Sequence, residues 1–578
     1  MATPARRLFL KYLGAGLTGV AASGLGPIVQ ARGATPFGGP PSGLPFTPIE
    51  PSLADALVLP PEFQSQIVAL WGDRLPGTNA RFGYNADFTA FLPLPSKDDE
   101  GLLWVNHEYV SIPDDETGEF GVYPQTFPLV MGRSPTIDDE MADIGASVLH
   151  IRRDGSGRWQ VIASPLTRRY DVNSPMSASG PALQRVRGIT GTLANCSGCV
   201  TPWRTVLTCE ENYQDYVPDE VDTSGRGSTG GRFERNSAHY GWVVECDPHD
   251  PSFVPVKHTM LGRFRHENVA LRASRGAAVV AYMGDDRTNG HVYKFVSDSR
   301  YAGPDAPHRG TLLSRGRLYA ALFHANGRGE WVELAPDTRL RPNPESKFPE
   351  IPKGSTTLGD VYADLGAIVS DGFRAANLVG ATPTGRPEDV EVHPFDGSIY
   401  IAFTAHATAP ATMFSNTFGQ IWRLVDTDQG TGSRFTWMRW MAGGPNDPAQ
   451  AGHVFAAPDN LSFDRAGNMW IVSDIRSSYL NGDARYTAFM NNGMFFVPTS
   501  GADAGRAFQF ASGPCESELT GPSWTPDEAT LFLSVQHPGS AHGMRTRGTP
   551  APHGSNWPNG RLDAPPRPGV VAIRRRSG

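Results

Sequence analysis

The chain has 578 residues and a formal charge of −8 at neutral pH, a balance that argues against a nucleic-acid partner. Its length admits several domains or one large repeat architecture. With 64 Gly and 50 Pro and no collagen period, many short elements joined by turns are expected, and no apolar run beyond the N-terminal one is long enough to span a bilayer.

The first 34 residues read as an export signal. Arg6-Arg7 is followed by Leu8-Phe9-Leu10-Lys11, a weakly apolar stretch from Tyr12 to Val29, and small-residue cleavage sites between Gln30 and Ala34. This is the pattern of a twin-arginine signal peptide at 1–34. The twin-arginine export machinery carries folded proteins, commonly with a cofactor already inserted. A periplasmic or secreted location and a metal or redox cofactor are therefore expected. Residues 35–55 follow as a Pro/Gly-rich leader or linker, and residues 56–578 as a single catalytic domain.

Helical periodicity is nearly absent beyond the signal. Short helices are predicted at 52–58 (SLADALV) and 359–370 (GDVYADLGAIVS). The rest reads as hairpins whose second runs are GLLWVNHE (101–108), TVLTCEEN (205–212), AAVVAYMGDD (277–286), SIYIAFTAH (398–406), NMWIVSD (468–474) and TLFLSVQHP (530–538). Six irregular strand-pair repeats without intervening helices predict an all-β fold, a six-bladed β-propeller with long inserted loops such as 219–238 and 336–353. A β-sandwich array would show even strand spacing and no recurrent polar residue at one strand end.

That recurrent residue carries the chemistry. Cys196 precedes the second hairpin within NCSGCVTPWRTVLTCEENY (195–213), which ends in Glu210-Glu211. Glu267 opens the next, Glu388 and Asp459 the two after it. In a propeller the same end of each innermost strand points at one axis, so these residues would converge. Several carboxylates cannot share a small site as free anions; they demand protons or cations. Each acid alone is equally read as a turn cap or as a partner of His266, Arg265 or Arg386.

Aligned carboxylates suit hard cations such as Ca²⁺. A thiolate beside Glu211 suits iron or zinc. Cys196-x-x-Cys199 also reads as a redox pair or half of a zinc ribbon, although no second such pair exists. The other cysteines are Cys209, Cys246 and Cys515, so the total is odd and one thiol needs a role or burial.

Taken in order, the twin-arginine leader, WVNHE (104–108), NCSG…TPW…TCEEN, RHEN (265–268), YMGDD with VYKFV, RPED (386–389), APDNLSFD and SVQHPG resemble the PhoX-type alkaline phosphatases over roughly residues 50 to 570. The resemblance implies a six-bladed propeller that holds two ferric ions (Fe³⁺), three calcium ions (Ca²⁺) and a bridging oxide. It implies an exported phosphomonoesterase induced by phosphate starvation. By motif, Cys196 is similar to the family's iron-ligating thiolate and Glu211 to an iron-site carboxylate. Glu267, Asp286, Glu388 and Asp459 resemble the remaining iron and calcium ligands. Arg386 resembles the arginine that holds the substrate phosphate, a role its planar guanidinium suits; an ion pair with Glu388 or Asp389 is the alternative. His107 and Glu108 are candidates to assist around the centre or to face outward at a strand end. Cys199 departs from the pattern, standing where NCSGG would have Gly.

The expected chemistry is phosphoryl transfer from small-molecule phosphomonoesters at a preassembled metal cluster, by a monomer. Two other classes fit parts of the sequence. A calcium-dependent propeller lactonase or esterase would need no thiolate ligand. A non-catalytic exported propeller would leave Arg386 and Cys196 without work.

Overall fold

The computed structural model describes residues 44–110, 122–218, 231–404, 416–445, 454–540, 553–562 and 564–576. The stretch 1–34 read as a signal peptide, the first part of the Pro/Gly-rich stretch and most of the loop 219–238 lie outside the described residues.

β-rich runs become strands because they are buried on both faces. Glu100–His107 is buried at every position, as are Val206–Glu210, Ile399–Phe403, Met469–Ser473 and Leu531–Gln536. All are the second runs of the predicted hairpins. The strands form five sheets that are antiparallel except where Val256–His258 runs parallel to Ser177–Ser179. Four sheets have four or five strands on their main path, and the fifth has nine. The arrangement is all-β and propeller-like.

Each meander starts with a strand on the inside. Ala86–Pro93, Asn195–Val200, His266–Arg272, Pro387–Val392, Pro458–Phe463 and Glu518–Trp524 pack side by side in that order, and the last returns to the first. The first and last described strands share one sheet. Phe63–Leu70 pairs antiparallel with Gly569–Arg575, from Phe63↔Arg575 to Leu70↔Gly569, so the ring is closed by strands remote in sequence.

Between sheets the space is filled by aromatics. Trp470 is fully buried and contacts Phe46, Phe496, Phe510 and Trp524, with ring centroids 5.0–6.1 Å apart. Its truncation to Ala would cost about 3–5 kcal/mol. Phe46, inside the stretch read as a leader or linker, is itself buried in this cluster.

Two helix expectations need correction. Residues 52–58 are not helical; Val58 bridges Ser512 through backbone bonds of 2.9 and 3.0 Å, and the Asp55 side chain accepts from Ser555 and Asn556. Long-range pairing outweighs the weak local propensity. The 359–370 segment is split into a 3₁₀ turn at Leu358–Asp360 and a helix at Leu365–Ser370, which starts at an Asp364 cap. Helices at Val122–Met131, Ile137–Asp143, Gly372–Val379 and Ser477–Gly482 were not foreseen. None exceeds ten residues, too short for a periodic pattern to stand out.

Candidate metal centre

Five of the six inner strands follow a residue of the same unusual conformation. Asn85, Ala194, Arg386, Ala457 and Glu516 have left-handed backbone, with φ of 49°, 55°, 55°, 47° and 56°. Non-glycine residues adopt that conformation at a cost of order 1 kcal/mol, so the surroundings must enforce it. The enforcing bond comes from the end of the second strand. Glu108 N–H donates to Asn85 O (3.2 Å), Glu211 to Ala194 (2.9 Å), Thr404 to Arg386 (3.1 Å) and Asp474 to Ala457 (2.9 Å). Asp286 donates likewise to Arg265 O (3.0 Å).

A β-bulge follows at once in five of the six strands; in Glu518–Trp524 it lies further along, between Thr520 and Ser523. Pairing skips from Ala86 to Thr89, Asn195 to Gly198, His266 to Val269, Pro387 to Val390 and Pro458 to Leu461. Bulges re-aim side chains. The first unpaired residues are Asp87, Cys196, Glu267, Glu388 and Asp459, two positions after the left-handed or equivalent residue.

Their side chains converge. Asp87, Glu108 and Cys196 bring their ligand atoms within 4.8 Å of one another; so do Cys196, Glu211 and Glu267, and so do Glu267, Glu388 and Asp459. Shared members make one continuous cluster. The Cys196 Sγ–H lies 3.2 and 3.1 Å from the two oxygens of Glu267. Apart from the partly buried Glu108, all seven are buried.

Burial and mutual repulsion dominate the electrostatics. Burial pushes the Glu267 carboxyl well up, reinforced by Glu388, Glu211 and Asp459. Asp459 rises through burial, then Glu388 and Asp87. Glu211 rises through burial, then Asp286 and Glu108. The Cys196 thiol rises for the same reasons, burial first and then Asp87 and Glu267. Glu108 reaches about 7, chiefly by burial. Such a set loses its protons only when cations replace them.

Arg386 is the cation at the edge. Its Nε donates to Asp286 Oδ1 at 2.7 Å and its Nη2 to Asp286 Oδ2 at 2.5 Å, while Nη2 stands 3.0 Å from Glu388 Oε1. About 15% of its side chain stays exposed.

Of the residues singled out from sequence, Cys196, Glu211, Glu267, Glu388 and Asp459 come together, and Asp286 adjoins them through Glu211 and Arg386. Glu108 joins the cluster, accepting from Gln536 (2.7 Å) and Asn212 (3.1 Å). His107 does not: its ring bonds Tyr84 O (2.9 Å) and Ser147 Oγ (2.8 Å) in the interior. Cys199 does not either; it is half-buried against the apolar core that contains Leu207 and Cys209.

Sequence reading missed Asp87, Asp474 and Glu518. Asp474 and Glu518 interact with each other and with the cluster, and Glu518 Oε1 is 2.9 Å from His537 Nε2. The signal was present: Asp87 in NADF and Glu518 in CESELTG precede the first and last second runs as Glu388 precedes its own.

The sequence model of the family described as "Alkaline phosphatase PhoX" matches residues 44–539, a span that includes every residue of the cluster. The chain belongs to the PhoX alkaline phosphatase family. PhoX from Pseudomonas fluorescens, solved in complex with vanadate as a transition-state analogue, is 29% identical, with a TM-score of 0.73 over 92% of this chain and 98% of that one. The gluconolactonase XC5397 of Xanthomonas campestris (9% identity, TM-score 0.30, 90% and 98% covered) carries no argument here. Neither does a putative 6-phosphogluconolactonase of Bacteroides uniformis (11%, 0.27, 78% and 95%). No curated protein sequence matches the chain. As a PhoX member it is an alkaline phosphatase, a phosphoric monoester hydrolase that acts on small-molecule phosphate esters.

Proposed function

We propose that this PhoX phosphatase hydrolyses phosphomonoesters at a centre of two ferric and three calcium ions with a bridging oxide, inside a six-bladed propeller exported by the twin-arginine pathway. The observation that carries the reading is the continuous cluster from Asp87 to Asp459, with one thiol among carboxylates and Arg386 at its edge. Counting the nine-stranded sheet as two blades joined at Arg328–Glu333 and Arg434–Ala442 supports the blade number, because each half begins with its own inner strand. Arg6-Arg7 supports export to the periplasm or beyond.

The donor set suits such a centre. Carboxylates packed this closely need positive charge, and Asp87 Oδ1 is buried without a hydrogen-bond partner. Cys196, Glu211 and Glu267 would hold the iron ions, Glu388, Asp459 and Asp87 the calcium ions. When bound, the ions supply Lewis-acid charge to the phosphoryl oxygens and the departing alkoxide.

The chain's own contribution is placement. Asp286 fixes the plane of the Arg386 guanidinium, so that a phosphate oxygen meets a donor already oriented. The left-handed Arg386 backbone sets where that side chain starts. Recognition that ends at the phosphate leaves the alcohol portion free to vary.

Metal analysis of purified protein, together with p-nitrophenyl phosphate turnover, tests the reading. Iron and calcium should copurify with activity. Full activity in protein free of iron overturns the iron assignment.

A further inference from the structure

A bulge releases main-chain carbonyls from their ladder, and buried carbonyls need donors. Neighbouring strands supply them here. Ser534 Oγ donates to Asp87 O (2.6 Å), Asn268 Nδ2 to Val390 O (3.1 Å) and Thr404 Oγ1 to Pro458 O (2.5 Å). The bulge at Cys196 is held differently. One amide, Asn106 Nδ2, donates to both Cys196 O (2.7 Å) and Ser197 O (3.1 Å).

Asn106 is fully buried on the strand Glu100–His107, in the sheet next to that of Cys196. Its orientation is forced. The Oδ1 atom accepts from Trp104 Nε1 (2.7 Å) and Thr208 Oγ1 (2.9 Å), so the amide cannot flip without facing donor to donor. Thr208 lies on the strand paired with that of Cys196, so the clamp ties both strands of one hairpin to the neighbouring sheet.

We infer that Asn106 is the positioning residue for the Cys196 thiolate, acting through the Cys196–Ser197 peptide group, which helps set where the Cys196 Cβ points, and through the peptide group after it, which fixes the course of the bulge. The inference rests on the reading that Cys196 ligates a metal. A sulfur–metal bond is directional, and partners that orient a ligand typically matter roughly 10- to 100-fold in affinity or activity. This is a role for the WVNHE motif beyond strand formation. His107 and Asn106, adjacent in sequence, face different work.

The test compares Asn106→Asp, of equal shape but without the donor, and Asn106→Ser, which keeps a shorter one. Val571→Ala, in the apolar core, serves as a control for general destabilisation. A thiolate bound to ferric iron gives a visible sulfur-to-iron charge-transfer band; both Asn106 variants should shift that band and lower kcat roughly 10-fold while KM stays within about twofold. Val571→Ala should lower Tm and leave the band in place. Should Asn106→Asp not fold, Asn106→Ser decides. A folded Asn106→Ser with the native band and native kcat overturns the inference. If the native protein shows no such band, the metal reading has failed separately. Cys196 is then a free thiol, and its alkylation rate, followed by peptide mass spectrometry, must change several-fold in Asn106→Ser for the clamp to stand.

Discussion

Arg386 grips Asp286 with two nitrogens, at 2.7 and 2.5 Å, across 100 residues of sequence. Burial pushes the Asp286 carboxyl up, but the Arg386 charge outweighs it and holds the group below the usual range. Glu388, beside the same guanidinium, still lies well above the usual range because burial dominates there. Asp286, matched by resemblance to a metal ligand, is thus committed to Arg386 while staying within charge reach of Glu211.

Arg386→Ala should retain the fold and the metals, weaken inhibition by inorganic phosphate and slow turnover. A lost charge-assisted contact is worth roughly 1.5–3 kcal/mol, or about one to two decades in rate. Arg386→Lys keeps charge without the fork and should fall between. Native turnover and native phosphate inhibition in Arg386→Ala would reduce Arg386 to a partner of Asp286.

Cys196→Ser should bleach the visible band and lose iron together with phosphatase activity, because a serine hydroxyl is far less acidic than a thiol, so it is a poorer anionic ligand, and it has no sulfur to give the band. Cys199→Ser is the matched control, since Cys199 packs against Leu207 and Cys209 and takes no part in the carboxylate cluster. A bleached Cys199→Ser beside a coloured, active Cys196→Ser would move the ligand along the strand.

Calcium chelation should abolish p-nitrophenyl phosphate turnover, and added calcium should restore it. Glu267, Glu388 and Asp459 have ligand atoms within 4.8 Å of each other and repel unless cations lie between them. Activity that persists in protein shown to be calcium-free rules out this role.

Gly284 marks a close approach that no sequence motif announced. A Cβ there would stand 2.4 Å from Pro387 O and 2.5 Å from Glu388 O, in the neighbouring bulge. Gly284→Ala should therefore displace Glu388, lower stability by about 1–3 kcal/mol and reduce bound metal. Unchanged melting and unchanged metal content would show that the bulge yields without consequence.

Arg6→Lys with Arg7→Lys should retain precursor in the cytoplasm, as seen by fractionation. Normal periplasmic accumulation of that variant would remove the export reading.

Local chemistry made much of this legible in the chain. Six second runs of β-branched and aromatic residues, five of whose strands are buried at every position, announced strands and their order, and recurrent polar residues ahead of them announced a site. Cys196, Glu211, Glu267, Glu388 and Asp459 could be named because alternation breaks at an acid or thiol in a constant place. Asp87 and Glu518 obeyed the same rule and were passed over, since flanking Ala and Ser make a weaker contrast than Arg or His.

Tertiary structure decided the rest. Whether Arg386 would meet Asp286 as well as Glu388 depended on which strand became its neighbour, and only the packing of Ala278–Asp285 against Pro387–Val392 brings the two together. His107 and Glu108 are adjacent in sequence, yet successive residues of a strand face opposite ways, so one enters the interior and the other the cluster. Asn106 could not be told from any strand-end polar residue, because its two acceptors belong to a bulge 90 residues away. Sequence carries residue type and period. Which buried carbonyl, carboxylate or thiol each polar group must satisfy is settled only when the sheets are packed.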